Sequence, residues 1–345
     1  MQALHGKQLF RCDAHRTSGS RFMKRPFTHL RTNRGAALLL ALWALFLLSA
    51  MVIAWALNIN SQLAVSTNAS RVLAAEAMAS SGADVALHPL IQPSSPNLHR
   101  QLRGGEGYDV QVTGECGRLN VNFLTQGEDP RKLQVLRQYL SLKGVELNDI
   151  DLMIDSLLDW VSPNAGLHHL NAPAESDNYQ PPHAPLTSVD DLKRVQGWAE
   201  FTSRSGWDKD FTVLGNCGPI DVAWASRDVL RALPGLGDDS VDRFLQVRAG
   251  PDGIDGTVDD YPFTATGGAS VPPDVQAALG LNPQQFQQLQ AFVQYKAPVL
   301  RIVSVGKSGN VSRSVEMVVQ KQMFPGGPAA AIAVGRPQVL SWKEL

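Results

Sequence analysis

One stretch constrains this chain more than any other. Residues 36–57, AALLLALWALFLLSAMVIAWAL, run without a single charge behind a basic leader. The leader includes Arg11, Arg16, Arg21, Lys24, Arg25, Arg31 and Arg34 against one acid, Asp13. About 20 apolar residues suffice to cross a bilayer core as a helix. Cationic residues on the N-terminal flank place that flank in the cytoplasm and everything past about residue 60 outside. The run is longer than the apolar core of an ordinary cleaved signal, and Trp43 and Trp55 suit a retained anchor. Met23 opens a compact basic leader of its own, MKRPFTHLRTNRG, so translation can start at Met1 or at Met23.

The formal net charge is −1. With the leader so basic, the remainder is acidic, which gives no reason to expect a nucleic-acid partner. The 345 residues leave room for one large domain or two modest ones beside the anchor. Cys12 lies in the leader, leaving Cys116 and Cys217 in the exported body. These two can pair as a disulfide or stand as two buried thiols, and both readings are open.

Beyond the anchor the sequence is Ala-rich and free of proline until Pro89. Leu63, Val72, Leu73, Met78 and Val85 recur at helical spacing and predict a shared apolar face. The expectation is one long helix over about 36–88, with its membrane part at 36–57 and an amphipathic part within 58–90. Val110 and Val112, then Leu119, Val121 and Phe123, alternate with polar neighbours. They predict two short strands within 107–124 around Gly114–Gly117. Helices follow at 133–142 and 147–161, separated by Lys143-Gly144, with Asn148 as the cap of the second. Residues 162–186 read as loop, and Ser188 caps a helix in SVDDLKRVQGW. Cys116-Gly-Arg-Leu-Asn-Val is echoed by Cys217-Gly-Pro-Ile-Asp-Val, a short internal repeat. A helix–hairpin–helix surrounds Leu233-Pro-Gly-Leu-Gly237, and a helix is expected from Pro283 to Tyr295. The alternation around Gly309-Asn310 predicts a β-hairpin, and QVLSWKEL a further strand.

Three groups invite a chemical reading. Asp252, Asp255, Asp259 and Asp260 lie among glycines, a donor set suited to a hard cation such as Ca²⁺. A solvated acidic loop is the bland alternative, and the spacing is not that of an EF-hand. The hairpin at 233–237 resembles a phosphate-holding turn, but Asp238 and Asp239 follow at once and would repel a phosphate. His168 and His169, with His183 near in sequence, have no Cys or acid at ligand spacing, and a loop with exposed histidines is expected. The nucleophile, P-loop and H-E-x-x-H patterns are absent, so the chain reads as non-enzymatic.

The junction is the basis of a resemblance. Arg34-Gly35 followed by AALLLALW resembles a prepilin-type signal, cut before its apolar segment. Leu119-Asn-Val-Asn122 and the weaker Ile220-Asp-Val-Ala223 are similar to "INVNTA"-like turns. LMIDSLLDWVSPNAG and PLTSVDDLKRVQGW resemble the "LIDALLDWIDPD" and "PLASVEELRLVRGM" stretches of the minor pseudopilin K family of type II secretion, and VLSWKEL resembles that family's ending. Leu40 stands at mature position five, where most pilins carry glutamate and the K family does not. Ala223-Trp224 departs from the usual Asn-Thr.

The resemblance implies an α+β fold: a pilin-like N-terminal helix packed on a small antiparallel sheet, with a large, mainly α-helical domain inserted between the strands. Its expected parts are a leader at 1–35, first strands at 107–124, an insertion at 125–297 and closing strands at 298–345. It implies cleavage between Gly35 and Ala36 by prepilin peptidase, N-methylation of Ala36, and calcium in the exported domain. It also implies a single-pass inner-membrane protein with a periplasmic head at the pseudopilus tip, beside sibling pseudopilins I, J and H, facing secretin or cargo. A carboxylate buried in hydrocarbon needs a partner, so an apolar Leu40 suits a subunit with no neighbour above it. The rival readings are a minor pilin of a type IV pilus, and a signal-anchored periplasmic enzyme or calcium-dependent binding protein.

Overall fold

A computed structural model describes residues 34–164, 166, 168–263, 271–321 and 337–345. The expectations for residues 1–33, including Cys12 and the choice between Met1 and Met23, lie outside the described residues. The chain divides into two units, one up to Leu63 and one from Ala64 onward. Helix α1 (Arg34–Leu87) is 54 residues long and contributes to both.

In the first unit, the α1 residues from 38 to 57 expose every large apolar side chain. Among the described residues α1 is the one helix long and apolar enough to cross a membrane. Water disfavours such a surface by roughly 25 cal/mol per Å².

The second unit begins with the rest of α1, followed by β1 (His99–Gln101) and β2 (Glu106–Gly114). Next come β3 (Leu119–Asn120), α2 (Val121–Thr125), α3 (Pro130–Leu142), α4 (Leu147–Val161) and α5 (Ala199–Thr202). They are followed by β4 (Phe211–Thr212), β5 (Ile220–Asp221), α6 (Arg227–Arg231), α7 (Asp238–Arg248), α8 (Pro273–Leu279), α9 (Pro283–Leu289) and β6 (Val293–Gln294). The chain closes with β7 (Val299–Ser308), β8 (Val311–Gln320) and β9 (Gln338–Glu344). The main sheet has the order β1-β2-β7-β8-β9, and every pairing in it is antiparallel. The predicted hairpin turns at Gly309-Asn310, where Gly309 adopts a φ of 61° that glycine accepts without strain.

The sheet packs on α1 through small residues. Ala75, Ala79, Gly82, Ala83 and Ala86 recur at helical spacing and are buried. A side chain at Gly306 would run into the main chain of Ala75 and Ala79, and one at Gly82 into Ser304 and Val110. This corrects the predicted face. Leu73 is 69% exposed and Leu63 60%, because the close helix–sheet approach admits Ala and Gly where leucine would not fit. At the helix end, the Lys321 ammonium donates to the carbonyls of Ala86 and Ile91, 2.8 Å each, supplying the last turn with a cation.

Between β2 and β7 the chain leaves the sheet for a mainly helical insertion with its own larger core. Four expectations change here. Only residues 106–114 of the 107–124 stretch join the main sheet, and the insertion starts at Glu115 instead of 125. Val121 begins a helix because Asn120 caps it, its side-chain oxygen accepting the Phe123 amide at 3.2 Å. Asn148 lies inside α4, whose cap position is Glu146. The helix from Pro283 stops at Leu289, and Val293–Gln294 pairs in parallel with Ile220–Asp221. Ser188 does cap its segment, through a full capping box with Asp191, but the turn is 3-10.

Candidate functional site

Gly35 and Ala36 stand in the first turn of α1 and are exposed. Among the described residues nothing beyond its own helix backbone lies within 4 Å of where a Gly35 side chain would begin. Leu40, one turn on, is 71% exposed. Ala37, Ala41, Ala44 and Ser49 are exposed along the same segment, and small residues of this kind permit close helix approach within a bilayer.

The internal repeat forms the centre of the insertion. Cys116 and Cys217, one from each copy, are joined in a disulfide that spans 101 residues. Each copy continues into a two-residue strand with a parallel partner, β3 with β4 and β5 with β6. The second residue of each strand, Asn120 and Asp221, is polar and buried, with opposite hydrogen-bonding sense. The Asn120 amide donates to the carbonyls of Leu214, at 2.6 Å, and Cys217. The Asp221 carboxylate accepts main-chain N–H groups of Ala223, Lys296 and Ala297 at 2.7–3.0 Å. Burial pushes the Asp221 carboxyl up to about 6, against the pull of those amides and of Arg248.

The hairpin motif is also doubled. Gly235 between α6 and α7 has a φ of 79°, and Gly144 between α3 and α4 has 77°. Lys143-Gly144 therefore forms the turn of a first hairpin whose equivalent is Pro234-Gly235. In the second hairpin Arg227 and Arg231 are engaged by Asp238 and Asp242. Those guanidiniums are committed to ion pairs within the fold.

The acidic loop follows α7. Arg248, whose side chain is 7% exposed, grips Asp255 with two hydrogen bonds of 2.6 and 2.8 Å. It also donates to the carbonyls of Val222 and Ala225, tying the loop to the second repeat. Asp252 accepts the Ile254 amide, Asp259 accepts the Asp252 amide and the Thr257 hydroxyl, and Asp260 accepts the Gly256 amide. The Thr257 hydroxyl and the Asp252 amide hold the Asp259 carboxyl below its usual range. Among the described residues no three His, Cys, Asp or Glu side chains already converge as a metal-binding group.

His168 is exposed as expected, but His169 departs from expectation. Asp159 and Glu128, remote in sequence, both reach His169, and Asp159 reaches His168 as well. His169 is largely covered instead of exposed. Sequence spacing misses this contact because a turn of α4 and the 126–128 turn are joined only by folding.

The second unit carries a further buried network. Arg301 on β7 makes two hydrogen bonds to Glu115, and Thr212 donates to the same carboxylate at 2.6 Å. No sequence signal pairs these residues.

No protein-family model matches the sequence, and no curated protein matches it. Among solved structures the chain is similar to a chain in the crystal structure of the GspK-GspI-GspJ complex from the enterotoxigenic Escherichia coli type 2 secretion system. The likeness has a TM-score of 0.51 at 16% identity and covers 83% of this chain and 96% of that one. At that identity the likeness is one of fold. The fold class is α+β and pilin-like, with a helical insertion between the strands of the sheet.

Proposed function

We propose that this chain is a minor pseudopilin of the K type, a non-enzymatic subunit of a type II secretion pseudopilus. One observation carries the reading. A single helix has an uncharged, exposed apolar stretch at residues 36–57 and a later stretch packed by Ala and Gly onto an antiparallel sheet that a helical insertion interrupts. The fold likeness to a chain of the GspK-GspI-GspJ complex supports it. The exposed apolar half would lie in the inner membrane and pack with the helices of siblings I and J, and of H. The head would stand in the periplasm at the pseudopilus tip, facing secretin or cargo.

Prepilin peptidase would cut between Gly35 and Ala36 and leave Ala36 for methylation. Leu40 would remove the need for a partner amine that a buried carboxylate has. Calcium belongs to the proposal as well. Asp252, Asp259 and Asp260 have no cationic partner among the described residues, which leaves them as oxygen donors of the kind a hard ion takes once the loop draws them together. Asp255 is engaged by Arg248 instead.

The deciding experiment is N-terminal sequencing of the mature chain after co-expression with a prepilin peptidase, together with cross-linking to siblings I and J. A chain starting at Ala36 and cross-linked to both siblings is expected; an uncut leader would overturn the reading. Calcium should raise the melting temperature of the full chain in detergent, and an unchanged value with and without chelator would remove calcium from it.

A further inference from the structure

Residues 168–186 contain no helix or strand beyond an isolated bridge between Ser176 and Tyr179. Side chains hold them to the body instead. Asp159, in the last turn of α4, is 5% exposed and receives both histidines. His168 Nδ1 lies 2.8 Å from Oδ2 and His169 Nδ1 lies 2.5 Å from Oδ1, which also accepts the His169 main-chain N–H at 3.0 Å. On the other side of the ring, His169 Nε2 faces Glu128 Oε2 at 3.4 Å. Neutral imidazole has one N–H and can donate to one of these carboxylates; imidazolium donates to both.

Two further features favour a cation at this place. Asp159 sits near the C-terminal end of α4, where the helix dipole favours positive charge. Glu128 makes its contact from a φ of 52°, a conformation that costs energy in a non-glycine residue. Among the described residues neither carboxylate is paired with lysine or arginine. The charges facing His169 are Asp159 from α4, Glu128 from the 126–128 turn, and His168 from its own segment. Nearby, Asp155 is bonded to Asn171, Glu175 to His183, and Tyr179 packs on Trp160. Glu128 and Pro185 both line a cavity of about 690 Å³, together with Ser162 and Pro163.

We propose that His169 is a proton-operated clasp: protonated on both ring nitrogens, it ties residues 168–186 to Asp159 and Glu128 at one edge of this cavity, and loss of a proton releases the Glu128 side. Burial alone would lower the His169 pKa, but hydrogen bonds to Asp159 and Glu128 outweigh it and hold the ring above its ordinary 6.5. The clasp therefore contributes fully below the ordinary value and is lost as pH rises through the raised one.

Hydrogen exchange of the full chain in detergent, corrected for intrinsic rates, reads this directly between about pH 5.5 and 8.5. Protection across residues 168–186 should fall in a step as pH rises, while α3 stays flat. His169→Asn should abolish the step and leave the segment open throughout, and His168→Asn should keep it. Glu128→Gln, a change at a half-exposed position, should move the midpoint to lower pH. Equal protection at both ends of the range in the unaltered chain would overturn the clasp. So would a step that survives His169→Asn, or a midpoint that Glu128→Gln leaves in place.

Discussion

Glu115 and Arg301 lie 186 residues apart and meet in a two-pronged ion pair. Arg301 Nε stands 2.6 Å from Oε2 and Nη2 stands 3.0 Å from Oε1, with Glu115 1% exposed. Arg301 belongs to the sheet and Glu115 opens the insertion, so this pair ties the start of the insertion to the sheet, while the adjacent disulfide joins two parts of the insertion itself. Glu316 also pairs with Arg301, and Arg118 and Thr212 also reach Glu115, so removing one partner leaves the other partly compensated. Glu115→Ala is expected to cost about 1.5–3 kcal/mol in urea unfolding, the range for hydrogen bonds to a charged group. Arg301→Met alone should cost similarly, and the double change less than the sum.

The disulfide closes a loop of about 100 residues, for which chain entropy gives a stabilisation of about 4–5 kcal/mol. Cys116→Ser with Cys217→Ser should therefore lower the unfolding free energy by roughly that amount. Reducing agent should do the same to the unaltered chain and have no effect on the double variant.

Gly306 decides whether α1 can lie on the sheet. A side chain there meets the main chain of Ala75 and Ala79, which cannot yield as a flexible side chain would. Gly306→Val should cost about 3 kcal/mol or more by overpacking. Gly215→Ala, with nothing among the described residues but its chain neighbours within 4 Å of the added carbon, should stay within about 0.5 kcal/mol. Equal losses in the two would refute the packing argument.

Asn120 and Asp221 occupy matching places in the repeat but cannot be exchanged. Asp at 120 would turn a carboxylate toward two carbonyls, and Asn at 221 would turn an N–H toward a main-chain amide. Asn120→Asp and Asp221→Asn should each lower stability by about 1–3 kcal/mol, the cost of an unsatisfied buried polar group. Chemical denaturation of the two single variants measures it.

Lys321 gives the chain an alkaline signature. Burial pulls its ammonium down to about 8 from an ordinary 10.5. Between those values the unfolded chain binds more protons, so stability rises with pH across this window. Unfolding free energy should increase from pH 8 to about 9.5 in the unaltered chain, and Lys321→Met should flatten that rise.

Elements marked by local chemistry were legible in advance. The uncharged run, the proline that ends α1, the Ser188 cap and the Gly309-Asn310 turn each act within a few residues, and the structure places each near its expected position. The cap of α4, read two residues late, was a local miss, but the larger failures required a distant partner. Leu119, Val121 and Phe123 alternate like a strand, yet Asn120 caps a helix because its amide is fixed by Leu214 and Cys217. Val293–Gln294 leaves its predicted helix because β5 is there to pair with it.

The sequence by itself determined that a long apolar helix leads the chain, that a sheet closes it, and that the acids and cysteines occur where they do. Hydrophobic period, proline and glycine act locally, so they can be read without coordinates. Only the tertiary structure decided which face of α1 meets the sheet, that the two copies of the repeat are bonded together, and that His169 stands between Asp159 and Glu128. Those outcomes depend on which distant groups share a buried volume, where packing distance and hydrogen-bond sense prevail over local propensity.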